Sequence, residues 1–248
     1  MDVNYIRSIK LKSFPDDDSY ISKLPAIKYL KNNELEFKAP VTFFCGENGT
    51  GKSTLLEAIA VAFGFNPEGG TLNFCFNSYD SHSYLYKHIG LVKGYNRPKD
   101  GFFLRAESYY NVASYIEELD SISSPTPLIK ESYGGKSLHE CSHGESFMAM
   151  VQNRLGGKGL YIFDEPEAAL SPQRQMTLLC EIDRLVKNDS QLIIVTHSPI
   201  LLSYPNAEIY QLSENGLDLT EYKDTLTYSV TKQFLNYPER MLEILLED

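Results

Sequence analysis

The stretch Gly46-Glu47-Asn48-Gly49-Thr50-Gly51-Lys52-Ser53 fits G-x-x-x-x-G-K-[ST] at every fixed position. Its glycines let the backbone curl until successive N–H groups converge, and converging amides bind phosphate. Lys52 then reaches the outer phosphates of a nucleotide, and the Ser53 hydroxyl can ligate Mg²⁺. Gly46, Asn48, Gly49, Thr50, Gly51, Lys52, Ser53 and Thr54 are the candidate nucleotide-binding residues. An acidic pair, Asp164-Glu165, ends an apolar run. The first acid there can hold Mg²⁺, and the second can orient and polarise an attacking water. The alternative is an ordinary strand-end turn with exposed acids. His197 follows another apolar run. A neutral imidazole both donates and accepts, so it can bridge a γ-phosphate and a catalytic acid, or serve as a satisfied structural histidine.

These residues need strands that end at one edge of a sheet, because ligands of α/β sheets bind beyond the strand ends. Residues 41–45, Val-Thr-Phe-Phe-Cys, read as a buried strand running into the glycine loop. Leu55, Leu56, Ile59 and Phe63 recur with helical spacing directly after it. Residues 160–163 and 192–195 are further buried strands, ending at Asp164 and leading to Thr196-His197. Residues 5–11 and 35–37 alternate as half-exposed strands, and two strands ahead of the phosphate loop predict that it lies in a mixed α/β sheet. Residues 101–106 read as a strand and 108–119 as a helix. Another helix spans 142–155, with Phe147, Met148, Val151 and Leu155 in register. Ser171-Pro172 opens a further one, carrying Leu178, Leu179, Ile182, Leu185 and Val186. A hairpin turning at Asn215-Gly216 and a helix over 238–246 close the chain, whereas residues 71–100 show only weak periodicity.

The order of these motifs resembles that of the ABC-type ATPase head. Ser142-His143-Gly144-Glu145 stands where that family's Ser-Gly-Gly-Gln signature lies, and Ala169-Leu170-Ser171 where its D-loop lies. His143 and Cys141 depart from the signature, and Glu107 stands where the family has a glutamine. A carboxylate at Glu107 can meet Mg²⁺ or its water, or simply be an acid at a helix start. The opening, with residues 9–14, 35–37 and 41–44, is similar to the N-terminal arm of the SMC, RecF and RecN group. Residues 101–108 and 142–147 are similar to those of small stand-alone bacterial predicted ATPases. The resemblance implies a P-loop NTPase of ABC-ATPase type: a mixed central sheet flanked by helices, with a small helical lobe carrying the signature. Residues 1–106 and 157–248 would form the ATP-binding core and 107–156 the inserted lobe.

The resemblance also implies a mechanism. ATP and Mg²⁺ are the expected cofactors. Glu165, His197 and Lys52 are the expected catalytic residues, and Ser53, Asp164 and Glu107 the metal ligands. Ser142, Gly144 and Glu145 are expected to meet the γ-phosphate of a second subunit's ATP. The expected assembly is an ATP-dependent head-to-tail homodimer acting as a switch or clamp on a protein partner or on DNA. Alternatives are the nucleotide-binding subunit of an ABC transporter and a non-hydrolysing nucleotide sensor. The formal net charge of −10 argues against a surface that coats nucleic acid non-specifically, although Lys93, Arg97 and Lys99 can form a local basic patch or just a solvated loop. No apolar run reaches the length of a membrane span, so no membrane insertion is expected. The residues at the N-terminus lack the apolar stretch of a signal peptide, and the four dispersed cysteines read as reduced thiols, which together predict a cytoplasmic protein.

Overall fold

The computed structural model describes residues 4–16, 18–72, 83–105, 120, 131 and 143–246. Strand β3 (Val41–Gly46) is its centre. Val41 to Cys45 are buried on both faces, which is why the run is apolar throughout rather than alternating. Parallel to β3 run β8 (Gln191–Val195) on one side and β9 (Glu208–Ser213) on the other. Beyond β8 lie β7 (Gly159–Asp164) and β6 (Asp100–Arg105), also parallel. Antiparallel strands β10 (Gly216–Leu219) and β4 (Gly70–Thr71) close the two edges of this seven-stranded mixed sheet. The hairpin turn falls on Glu214-Asn215, one residue earlier than the sequence predicts, and Gly216 opens β10 with φ +141°.

The phosphate loop lies in a mixed α/β sheet as expected, but the two strands ahead of it belong to a different sheet. Strands β1 (Ile6–Leu11) and β2 (Leu35–Glu36) do not enter the main sheet. They form a separate antiparallel sheet with β5 (Ile89–Lys93), from the stretch of weak periodicity. Local alternation shows that a strand has two different faces; it does not show which strand it pairs with. The two sheets are joined by Gln191, whose side-chain amide accepts from the Ile6 N–H (2.9 Å) and donates to the Ile6 carbonyl (2.8 Å). That amide imitates a strand partner in a fully buried place, so both backbone groups of Ile6 are satisfied.

Helices cover both faces of the main sheet. Helix α1 (Pro25–Leu30), helix α2 (Lys52–Phe63) and helix α3 (Leu85–His88) pack on one face with the small sheet. There Leu55, Leu56 and Ile59 meet Phe44, Ile162 and Val195. On the other face lie helix α4 (His143–Asn153) and helix α5 (Pro172–Lys187). Their Phe147, Val151, Leu178, Ile182 and Leu185 meet Phe43, Tyr161, Phe163 and Ile194. Helix α5 starts as predicted: Ser171 caps it by accepting from the Arg174 N–H, and Pro172 occupies the first position. Two helices follow the hairpin, α6 (Leu226–Asn236) and α7 (Pro238–Leu246). The sequence reading missed α6. Its apolar residues are only partly covered and its Tyr, Thr and Val are weak helix formers. The available signal was the Thr225 cap with Leu226, Val230 and Phe234 spaced by four. Among the described residues no helix is long and apolar enough to cross a membrane.

Candidate functional site

The three parallel strands β3, β7 and β8 end side by side, and each delivers one part of the site. From β3 the chain enters the glycine loop at Gly46. There φ is +132°, and a Cβ would lie 2.1 Å from the Leu212 carbonyl oxygen, so a side chain is excluded on both counts. Gly49 (φ +82°) and Gly51 (φ +86°) complete the curl, and the Thr50 hydroxyl ties it by donating to the Glu47 carbonyl (2.8 Å). Helix α2 begins directly after Gly51 without a side-chain cap, so its first N–H groups face the loop. Asn48 is exposed on the loop, and Thr54 lies half-buried in the first turn of α2.

Lys52 is 5 % exposed. Its ammonium donates to the carbonyls of Gly46 (3.0 Å) and Glu47 (2.8 Å). Burial pulls its pKa below the usual lysine range, and the negative charges of Glu165, Asp164 and Glu167 oppose that shift. The Ser53 hydroxyl donates to Asp164 Oδ1 at 2.9 Å, although 111 positions separate the two residues. Two hard oxygen donors beside a buried lysine suit Mg²⁺, which retains waters and takes its remaining ligands from substrate phosphate. Ser53 and Asp164 therefore fit that ion.

Glu165 follows β7 with φ +49°, in the left-handed region that non-glycine residues seldom adopt. Its N–H donates to the Val195 carbonyl at 3.0 Å, which anchors the turn to β8. The backbone twist sends the carboxylate towards His197, whose Nε2 is 3.5 Å from Glu165 Oε1, too far for a strong hydrogen bond. Backbone strain at such a place is a recognised mark of a working site.

The sequence reading missed Glu167. Its Oε1 accepts the backbone N–H of His197 at 2.5 Å. Burial raises its pKa above the usual carboxylate value, while the His197 amide and the Thr196 hydroxyl pull it back. Gln175 and Ser198 were missed too. The Ser198 hydroxyl donates to Gln175 Oε1 (2.6 Å), and the Gln175 amide donates to the Leu170 carbonyl (3.0 Å). Together they tie the stretch after Glu165 to the turn that carries His197. Only the Pro166-Glu167 dipeptide after the acidic pair hinted at this, and no periodicity could have.

Lys52, Ser53, Asp164, Glu165 and His197 thus stand together. Gly144 and Glu145 meet other partners. A Cβ on Gly144 would lie 2.4 Å from the Ala169 carbonyl oxygen, and Glu145 Oε1 is 3.2 Å from Arg174 Nη2. Ser142 and Glu107 lie outside the described residues, as do the side chain of His143 and the expected helix 108–119.

Cys45, one residue before the loop, is fully buried, and burial raises its thiol pKa to about 11. Cys180 is exposed on α5. At pH 8 only about one Cys45 thiol in a thousand is ionised, and the thiolate is the reacting species. Iodoacetamide at that pH is therefore expected to label Cys180 and spare Cys45 in the folded protein, with both labelled in denaturant. Peptide mass spectrometry reads the result, and rapid native labelling of Cys45 would contradict the buried strand.

Known proteins resemble this chain in sequence and in fold. Residues 23–126 match a family described as "AAA domain". Residues 147–203 match one described as "AAA domain, putative AbiEii toxin, Type IV TA system". A Haemophilus influenzae protein described as an uncharacterized ABC transporter ATP-binding protein is 25 % identical over 209 residues, 78 % of each chain. Among solved structures, cbiO1 from Clostridium perfringens, part of the ABC transporter complex cbiONQ, superposes with TM-score 0.54 at 18 % identity. That superposition covers 98 % of this chain and 99 % of the other. An ATP-binding cassette of an ABC transporter gives TM-score 0.52 at 16 % identity, over 94 % of this chain and 98 % of its own. The chain therefore has the fold of the ATP-binding cassettes on which it superposes, and that fold brings the phosphate loop and the acidic strand end together.

Proposed function

We propose that this domain binds and hydrolyses ATP and that bound ATP gates its pairing with a second copy. The observation that carries the reading is the Ser53–Asp164 hydrogen bond, which joins the phosphate loop to the acidic strand end beside a buried lysine. Lys52 neutralises charge on the outer phosphates, and Ser53 and Asp164 hold Mg²⁺. Mg²⁺ bound by those two residues would supply positive charge against the negative charge that develops on the phosphate. Glu165 orients the attacking water and accepts its proton. His197, held by Glu167 through its backbone, meets the γ-phosphate. Glu107 is a further ligand to Mg²⁺ or its water.

In the same reading residues 107–156 are an inserted lobe whose Ser142, Gly144 and Glu145 face a second subunit's ATP. Amide contacts to a γ-phosphate exist only while that phosphate is present, so hydrolysis removes part of the pairing energy. The protein is cytoplasmic and works as an SMC-like switch on a protein or DNA partner. The name of the Haemophilus relative favours a second reading, the ATP-binding subunit of an ABC transporter. The test is the solution mass of Glu165→Gln by light scattering. A mass near twice 28.1 kDa with Mg-ATP, and near 28.1 kDa without it, is the expected result. A monomer with nucleotide demonstrably bound would overturn self-pairing.

A further inference from the structure

A cavity of about 580 Å³ lies between the C-terminal end of α2 and the segment that leaves β5. Its size falls within the range of small-molecule sites, roughly 300–1,000 Å³. Phe63, Lys93, Tyr95, Asn96 and Arg97 are among its lining residues, and no carboxylate lines it among the described residues. That wall is basic in a chain whose formal charge is −10.

The aromatic groups here differ from those of the core. Tyr95 is 97 % exposed, so its ring has a free face. The Arg7 guanidinium stands 5.8 Å from its centre. The Lys93 ammonium lies 4.4 Å from the centre of the Phe63 ring and donates to the Phe63 carbonyl. The segment that presents Tyr95 is fixed at both ends. The Gly94 N–H donates to the Tyr5 carbonyl (2.9 Å), and the Lys99 N–H donates to the Lys158 carbonyl (2.8 Å). An exposed ring on a backbone pinned at both ends has lost part of its freedom before any ligand arrives, and this lowers the cost of binding.

A ring with a free face beside cationic side chains suits one ligand chemistry: a planar heterocycle that carries phosphate. The base stacks on Tyr95, and the phosphate is met by Arg97 and Lys93. The geometry points to a second nucleotide-recognition site, separate from the phosphate loop. It takes either a free nucleotide or one unpaired nucleotide of a strand. The basic stretch that the sequence reads sooner as a solvated loop thereby becomes one wall of a site.

The test uses the full chain as Lys52→Ala, which removes the phosphate-loop contribution. Two probes are titrated by fluorescence: labelled AMP and a labelled oligo-dT strand. Saturable binding of either is expected, falling about tenfold or more in Tyr95→Ala and in Arg97→Glu. Unchanged thermal melting of both variants serves as the folding control. Binding of AMP alone assigns the free nucleotide, and binding of the strand assigns the unpaired nucleotide. Failure of both probes to bind overturns the proposal. So does binding that survives Tyr95→Ala, or that tripolyphosphate displaces equally well in Tyr95→Ala, because either is plain charge attraction. If Lys52→Ala does not fold, Lys52→Met, which keeps the buried apolar stem without the ammonium, replaces it. ATP-dependent pairing of the Tyr95→Ala chain is expected to persist, so failure here leaves the phosphate-loop reading standing.

Discussion

Glu165→Gln is expected to lower ATP turnover by about 10²- to 10⁴-fold, the usual contribution of a positioned general base. ATP affinity should stay within a few-fold of wild type. The substitution keeps the size of the side chain and the Glu165 N–H bond to Val195, so the strained turn survives. It removes the charge that accepts the proton, and an amide oxygen is a poor base. It also puts a neutral amide in place of the carboxylate that faces His197 Nε2 across 3.5 Å. Single-turnover hydrolysis alongside equilibrium nucleotide binding separates the two effects. Turnover comparable to wild type would remove Glu165 from the chemistry and leave Glu167, the neighbouring buried carboxylate, as the group to examine. Loss of binding together with turnover would assign Glu165 a structural role.

Lys52→Ala is expected to weaken Mg-ATP binding by about 10²- to 10⁴-fold. Two charge-assisted hydrogen bonds to phosphate, each worth about 1.5–3 kcal/mol, account for that range. Electrostatics adds to the loss. Lys52 is the buried cation that feels Glu165, Asp164 and Glu167 together, and its removal leaves their charge unopposed where a polyphosphate must enter. Thermal melting should show an intact fold, because the hydrogen bonds lost are those to the loop carbonyls of Gly46 and Glu47. Isothermal calorimetry reads the affinity directly. An unchanged dissociation constant in a folded variant would mean that the ammonium does not contact nucleotide.

The sequence determined the parts whose cause is local. Gly46, Gly49 and Gly51 require left-handed or crowded backbone, and that requirement is visible in the residue type. The apolar runs that became β3, β7 and β8 are buried on both faces, so each run reports its own environment. Ser171 and Pro172 fix the start of α5 by capping and by a preset φ. From these, the strand–loop–helix unit and the acidic strand end could be read without coordinates.

Tertiary structure decided what depends on partners distant in the chain. Strand pairing is one case: β1 alternates in the same way whether it joins β3 or, as it does, β2 and β5. The meeting of Ser53 with Asp164 is another, since the order β3-β8-β7 places their strand ends side by side across 111 residues. Glu167 is a third. Its hold on the His197 amide comes from a turn that no periodicity encodes. The basic residues after β5 became part of a cavity because α2 ends beside them with Phe63. In each case the deciding force is a hydrogen bond or packing contact between elements. A local pattern in the chain carries no record of such a contact.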